Sequence, residues 1–268
     1  MTVPIIHVDT FVEEGFRGNA AAVCILPGPA DPSWMQSLAH EMNVSETAFF
    51  YHKTTGFNLR WFSPLIEVDL CGHGTLAVAH VLRQQGYFTD RPTAQFLTRS
   101  GLLTAQLQDE LIELDFPSLP QRETAPPLEL REALGAPLKY VGTDGDDYLV
   151  ELHSEDAVRS LRPEFNLLST IPARAIIVTS VASSTEYDVV SRVFAPRLGI
   201  DEDPVTGSAH CCLGPFWMAK LRKKELIAYQ TSARGGVLRL RLNGERLSLS
   251  GKAVTVGSST VESFSTTR

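Results

Sequence analysis

The two halves of this chain carry the same short pattern, and this internal repeat is the strongest constraint on its fold. RWFSP at 60–64 is followed by EVDLCGHG at 67–74, and RVFAP at 192–196 is followed by EDPVTGSA at 202–209. The first block recurs after 132 residues and the second after 135, about half of the 268-residue chain in each case. Solenoid repeats recur every ~20–50 residues, so this spacing indicates two related domains instead.

Each copy of the repeat contains a glycine turn that leads into an apolar segment. CGHG at 71–74 precedes an apolar run to residue 82, and TGSA at 206–209 precedes a second run to residue 221. Free N–H groups at the start of a helix bind carboxylate or phosphate without basic side chains, and glycine allows a ligand close to the backbone. One such turn alone is more often a plain helix start. Two in matching positions predict a shared anion site in a cleft between the domains.

Composition excludes several classes of protein. The net charge is −7 and no long basic run is present, so nucleic acid is not an expected partner. No stretch of about 18 apolar residues could span a membrane, and the N-terminus lacks a secretory signal pattern. Four cysteines, two of them adjacent, do not suggest a disulfide framework in a chain of this length. We therefore expect a reduced protein in the cytoplasm.

Hydrophobic patterning predicts an α+β architecture with many strands around two buried helices. Residues 5–11 and 21–26 form a predicted hairpin, and Asp31 with Pro32 predicts a helix start. Further strands are predicted at 44–51, 57–62, 102–107, 111–116, 148–152, 175–178, 187–194, 237–242, 247–249 and 253–256.

Proline positions mark two expected irregularities. Pro215 falls inside the second apolar helix, where it removes a hydrogen bond and is expected to kink the helix. Residues 117–127 contain four prolines and are the candidate linker. We therefore predict an N-terminal domain at 1–116 and a C-terminal domain at 117–268, with a last strand that can cross back to the first domain.

Common cofactor and nucleophile motifs are not matched. The glycine turns lack the pattern of a nucleotide-binding loop, and TGSAH at 206–210 is not the Gly-x-Ser-x-Gly turn of serine hydrolases. Cys71 and His73, with His210, Cys211 and Cys212, fit no standard zinc spacing, and the adjacent cysteines are better explained as small buried side chains. We expect neither a metal nor an organic cofactor.

Two acidic residues stand out only by their context. Glu46 lies between an amphipathic helix and the strand-forming AFFY at 48–51, and Asp203 is followed by proline. On composition alone, Glu46 is an exposed residue at the start of a strand and Asp203 opens a turn.

Taken together, these segments resemble the phenazine-biosynthesis PhzF-like isomerase family, a branch of the diaminopimelate-epimerase-like fold superfamily. The matching segments cover most of the chain in the order of the family: VDTF at 8–11, FRGN at 16–19, NVSETAF at 43–49, RWFSP at 60–64, EVDLCGHGTLA at 67–77, EDPVTGSAH at 202–210 and GKAV at 251–254. Gly74 departs from the alanine or proline that is usual there.

The resemblance implies two pseudo-symmetric α+β domains, each a barrel-like, mostly antiparallel sheet around a central apolar helix. It also implies a site between the domains, a homodimer, and no metal or organic cofactor. Glu46 corresponds to the acid/base of the family, and His73 and Asp203 to polar groups of the catalytic site. The residues expected to bind substrate are Gly72, Gly74, Thr75, Gly207, Ser208 and Ala209.

Three functions remain open on the sequence. Related racemases and epimerases place a catalytic cysteine in each half, whereas here Cys71 aligns with Thr206. This favours a cofactor-independent isomerase that uses Glu46 to move a proton between carbons of a small carboxylate. The alternatives are a racemase or epimerase that uses Cys71, and a non-catalytic metabolite- or protein-binding module on the same scaffold.

Overall fold

The computed structural model describes residues 2–15 and 17–262, so Phe16 of the FRGN motif lies outside the described residues. Contacts divide the chain into two compact units. The first contains the described residues up to Asp115 together with those from Ser250 to Glu262, and the second contains Phe116–Leu249. The chain therefore leaves the first unit once and returns to it within its last strand.

The described residues form seventeen strands and six α-helices. The strands are β1 (Val3–Val12), β2 (Asn19–Ile25), β3 (Glu46–His52), β4 (Phe57–Phe62), β5 (Glu67–Val68), β6 (Thr93–Thr98), β7 (Gly101–Gln108), β8 (Leu111–Pro117), β9 (Arg122–Glu123), β10 (Tyr140–Thr143), β11 (Asp147–Glu151), β12 (Ala175–Val181), β13 (Val189–Ala195), β14 (Ile200–Asp203), β15 (Glu225–Gln230), β16 (Gly236–Asn243) and β17 (Arg246–Val261). The helices are α1 (Pro32–Met42), α2 (Gly72–Gln84), α3 (Leu128–Leu134), α4 (Glu155–Ser160), α5 (Phe165–Leu168) and α6 (Gly207–Leu221).

Eight strands of the first unit close into a barrel around α2. The pairs β1–β2, β3–β4, β6–β7 and β7–β8 are antiparallel, and the pairs β2–β3 and β4–β6 that join them are parallel. Strand β17 closes the ring because it pairs with both β8 and β1. Helix α2 packs against β1, β2, β3 and β7, and every residue from Gly72 to Leu82 is buried. The predicted apolar central helix is confirmed.

The second unit repeats the strand order of the first. Its pairs β10–β11, β12–β13 and β15–β16 are antiparallel, while β11–β12 and β13–β15 are parallel. Short β14 pairs with β13 as short β5 pairs with β4, and a buried helix follows each of them. The repeat that is visible in the sequence is therefore a repeat of the fold, and the α+β class with two pseudo-symmetric halves is confirmed.

Both copies of the repeat form the same arginine–glutamate ion pair, which explains why both begin with arginine. Arg60 donates to both carboxylate oxygens of Glu67 at 2.7 Å, and Arg192 does the same to Glu202 at 2.7 and 2.8 Å. Each guanidinium also lies about 5 Å from the ring of the phenylalanine two residues later. The arginine thus ties its strand to the acidic segment that leads into the buried helix.

Helix α6 continues through Pro215, although an interior proline removes one backbone hydrogen bond. The carbonyl left without its helical donor is that of Cys211, and the backbone N–H of Leu119 donates to it at 2.9 Å. The proline-rich stretch at 117–127 is consequently docked on the unit that it opens. Its backbone also bonds to Glu245 and Val141.

One further difference from the predicted elements has a packing cause. The strands predicted at 247–249 and 253–256 are a single strand, β17, which passes through Gly251. A side chain at that position would approach the Phe11 ring to 2.4 Å, so the glycine admits a neighbouring aromatic side chain and does not break the strand.

Apolar cores lie under the outer helices of each unit. In the first, Met35 and Leu38 of α1 pack with Phe49. In the second, α3, α4 and α5 cover a cluster that includes Val150 and Phe194. Among the described residues, no helix combines the length and the apolar character that crossing a bilayer requires.

The two arginines should differ in their contribution to stability. The Arg192 side chain is 10% exposed and also donates to the carbonyl oxygens of Val158 and Leu161. Arg192→Met leaves buried acceptors uncompensated and should lower the free energy of unfolding by about 3–5 kcal/mol. Arg60→Met should cost no more than about 1 kcal/mol, because Glu67 keeps Arg99 at 2.8 Å. Urea denaturation measures both values, and equal losses would contradict this account.

Candidate functional site

Glu46 is the first residue of β3, directly after the turn that follows α1. Helix α1 ends at Met42, and Asn43 adopts a left-handed conformation that terminates it. The strand then pairs in parallel with β2, with Glu46 opposite Ala21. The Glu46 side chain is only 14% exposed, so its carboxylate is largely withdrawn from water.

The glycine turn at 71–74 forms the start of α2, with Cys71 as its N-cap. The Cys71 sulfur accepts a hydrogen bond from the N–H of Gly74 at 3.2 Å, and the Thr75 hydroxyl donates to the Cys71 carbonyl at 2.6 Å. A side chain at Gly74 would approach Trp61 Cδ1 to 2.8 Å, which explains glycine at this position. Cys71, Thr75 and Gly74 therefore shape the first turn of the helix.

This turn brings Glu46, Cys71 and His73 into one buried cluster. Glu46 Oε2 lies 2.9 Å from His73 Nε2, and Cys71 Sγ lies 3.6 Å from His73 Nδ1. Glu46 and His73 are close enough for an ion pair, but their geometry is not that of a hydrogen bond. Among the described residues, no donor is aligned for a hydrogen bond to Glu46 Oε2. An aligned donor on a ligand could therefore still bond to this oxygen.

The cluster is electrostatically coupled. Burial alone would lower the pKa of His73, but the acidic neighbours Cys71 and Glu46 raise it well above its usual value. Burial raises the pKa of the Cys71 thiol, with His73 opposing and Glu46 reinforcing this shift. Both acidic neighbours therefore favour the protonated form of the imidazole.

Asn19 holds the other side of the imidazole, a role that the sequence analysis missed. Its side-chain amide lies 3.3 Å from His73 Nδ1, and the Ser45 hydroxyl contacts the other end of the same amide at 2.9 Å. The cationic imidazole requires the amide oxygen to face Nδ1–H, and the Ser45 hydroxyl suits both amide orientations because it donates and accepts. Asn19 comes from β2, and no local spacing connects it with His73.

The second unit contains a corresponding polar group at the start of α6. Thr206, the N-cap residue, donates its hydroxyl to Asp203 Oδ2. Gln230 donates to the Asp203 carbonyl at 2.7 Å and accepts from the N–H of Thr206 at 2.8 Å. The fully buried Gln230 lies on β15, and no sequence signal identified it. Thr206 occupies the same N-cap position as Cys71, and its hydroxyl already bonds to Asp203.

Ser208 is the second residue of α6, as His73 is the second residue of α2. Arg174 donates to the Ser208 hydroxyl at 3.1 Å and pairs with the fully buried Asp147. Burial raises the pKa of Asp147 to about 6, although Arg174 opposes this shift. Arg174 is a third residue that no sequence pattern indicated, and it places a guanidinium beside a residue predicted to bind substrate.

The residues that follow Ser208 in this segment are buried. Ala209 and His210 are fully buried, and His210 Nδ1 contacts the Thr206 carbonyl at 2.8 Å. Burial lowers the pKa of His210 to about 4 and raises the pKa of Cys211 to about 12. Cys212 is also buried, and burial raises the pKa of its thiol well above the usual value. These shifts favour the neutral forms, and the side chains pack the interior, as the sequence indicated for the cysteines.

Comparison with known proteins places the chain in a family. Residues 8–259 match the model of the phenazine biosynthesis-like (PhzC–PhzF) proteins. A relative from Halalkalibacterium halodurans, named an uncharacterized isomerase, is 53% identical over 96% of this chain and 97% of its own.

Solved structures agree on the fold. A PhzF-family protein from Enterococcus faecalis superimposes with a TM-score of 0.92 at 38% identity, over 98% of this chain and all of that chain. A hydroxyproline epimerase from Agrobacterium vitis, with bound trans-4-hydroxy-L-proline, reaches 0.66 at 14% identity over 97% and 92% of the chains, and this likeness concerns the fold alone. The chain therefore belongs to the phenazine biosynthesis-like PhzC–PhzF family and is assigned to its isomerases.

Proposed function

We propose that this protein is a cofactor-independent isomerase that transfers a proton between carbons of a small carboxylate, with Glu46 as the acid/base. The observation that carries the proposal is the buried Glu46 carboxylate beside His73 at the start of a helix. A general base must lie within hydrogen-bond reach of its target. Exclusion of bulk water strengthens the electrostatic interactions of the reacting groups, and the Glu46 side chain is only 14% exposed.

The proposed reaction has two proton transfers at one carboxylate. Glu46 removes a proton from a carbon of the substrate, and the electron pair left behind delocalises toward the neighbouring carbonyl or carboxylate. The charge that develops is stabilised by N–H groups at the start of α2 and by the His73 cation. Glu46 then returns the proton to a different carbon, so the enzyme and the proton count are unchanged at the end of the cycle.

Asp203 and Ser208 are proposed to hold polar groups of the substrate. Asp203 is fixed by Thr206 and Gln230, and Ser208 by Arg174. Side chains that are held in this way can orient a ligand without losing much conformational entropy on binding. That the two turns share one ligand, and that the protein is a cytoplasmic homodimer, remain predictions from the sequence.

Cys71 is the basis of the second candidate function, a racemase or epimerase. The 3.6 Å contact between its sulfur and His73 Nδ1 favours this reading, since a neighbouring imidazole activates thiols. Two observations weigh against it. The sulfur caps α2, and burial raises the pKa of the thiol. We therefore place Glu46, not Cys71, at the reacting carbon.

Replacement of Glu46 should abolish proton exchange. Wild-type protein incubated with a panel of small carboxylic acids in deuterated buffer should remove a carbon-bound proton signal from at least one of them in NMR spectra. Glu46→Gln should reduce that rate by at least about 10²-fold, the usual contribution of a general base.

Glu113→Gln is the matched control, because Glu113 is a buried glutamate of the same unit that bonds to Gln106. This variant should exchange at the wild-type rate. Undiminished exchange in Glu46→Gln would overturn the assignment of Glu46, and binding of an acid without any exchange by wild type would favour a binding module.

Replacement of Cys71 distinguishes the isomerase that uses Glu46 from the racemase or epimerase that uses Cys71. Cys71→Ala should keep the exchange rate within about threefold and lower the free energy of unfolding by about 1 kcal/mol, because it removes a helix N-cap. Rate and thermal unfolding are measured on the same sample. A rate loss of 10²-fold or more in a folded variant would favour the thiol mechanism instead.

A further inference from the structure

We propose that Glu46, Cys71 and His73 form a binding site for one divalent transition-metal ion of the zinc class, and that its occupation inhibits the protein. The three residues offer a carboxylate oxygen, a sulfur and a ring nitrogen that all lie within 4.8 Å of one another. The spacing of Cys71 and His73 alone predicts no zinc site. The third donor comes from β3, 25 residues earlier in the sequence.

The distances fit a tetrahedral ion after small adjustments. Zinc bonds of about 2.0–2.3 Å to nitrogen, oxygen and sulfur place neighbouring donors roughly 3.3–3.6 Å apart. Glu46 Oε2 and His73 Nε2 are 2.9 Å apart, and Cys71 Sγ is 4.0 Å from the same nitrogen. The first separation is about 0.4 Å below this range and the second about 0.4 Å above it, so small movements of the side chains would bring these donors to it.

The site is prepared for a ligand in two further respects. Glu46 Oε2 is buried and lacks an aligned donor among the described residues, so it is open to a metal ion. The second ring nitrogen of His73 keeps Asn19 as an outer-shell partner, and such partners orient a metal-bound imidazole. Three protein ligands leave a fourth position for water.

A second cluster with similar residue types lacks these properties. Asp144, Asp147 and Cys212 also lie within 4.8 Å of one another. Arg174 already neutralises Asp147, and Asp144 accepts hydrogen bonds from the backbone of Asp146 and Asp147. This cluster therefore serves as an internal control and not as a candidate site.

Metal binding at the proposed site must release protons. The ion replaces the proton of the Cys71 thiol and a proton of the His73 imidazolium, and both protons pass to the buffer as the ion loses water ligands. Affinity should therefore fall as the pH is lowered. The bound ion uses the carboxylate and the imidazole assigned to proton transfer, so the inhibition rests on the proposed function, whereas the binding does not.

Cobalt(II) is the probe because a cobalt–thiolate bond produces a charge-transfer band that is independent of activity. Titration of reduced wild-type protein should produce this band at one equivalent, and zinc should displace it. Cys71→Ser should abolish the band, and Glu46→Gln should weaken binding by at least about tenfold, since even outer-shell changes have effects of this size.

Cys212→Ala and Cys24→Ala are the controls and should keep the band, with folding of every variant checked by circular dichroism. The absence of a band in wild type, or its loss in Cys212→Ala with retention in Cys71→Ser, would overturn the proposal. If zinc binds and proton exchange continues, the proposal that zinc inhibits the protein is wrong, and so is the assignment of Glu46 as the base. Zinc binding with loss of exchange would support both.

Discussion

The structure depends on burying the first turn of a helix inside a sheet. Helix α2 is buried from Gly72 onward, so the N–H groups of its first turn cannot all be left to bulk water. The Cys71 sulfur accepts one of these donors, that of Gly74. The remaining positive end of the helix is adjacent to His73 and the Glu46 carboxylate, where it favours negative charge.

The two units cap their buried helices with different residues, and this difference limits the reaction mechanisms that are available. The N-cap residue is Cys71 in one unit and Thr206 in the other, and the Thr206 hydroxyl is bound to Asp203. A symmetric mechanism with two thiols is therefore unsupported. The asymmetry instead leaves the largely buried Glu46 carboxylate in contact with the His73 imidazole.

Much of the fold could be predicted because the repeated blocks and the hydrophobic patterns can each be recognised in short segments of sequence. The Arg60 and Arg192 blocks identified two related halves, and the buried helices follow from their apolar runs. The continuation of α6 through Pro215 could not be predicted, because Leu119, which bonds to the freed Cys211 carbonyl, is distant in sequence. The continuity of β17 through Gly251 could not be predicted either, because the Phe11 ring that packs there is equally distant. The roles of Asn19, Gln230 and Arg174 could not be predicted for the same reason, because their partners are distant along the chain.

The central claim is that Glu46 and His73 act as one electrostatic pair, and an NMR titration of the imidazole tests it most directly. His73→Asn identifies the His73 resonances by their absence. In the wild type, the His73 ring should titrate well above the ordinary histidine pKa, and Glu46→Gln should move that midpoint down because it removes a negative neighbour. A midpoint at or below the ordinary value, unchanged in Glu46→Gln, would contradict the account.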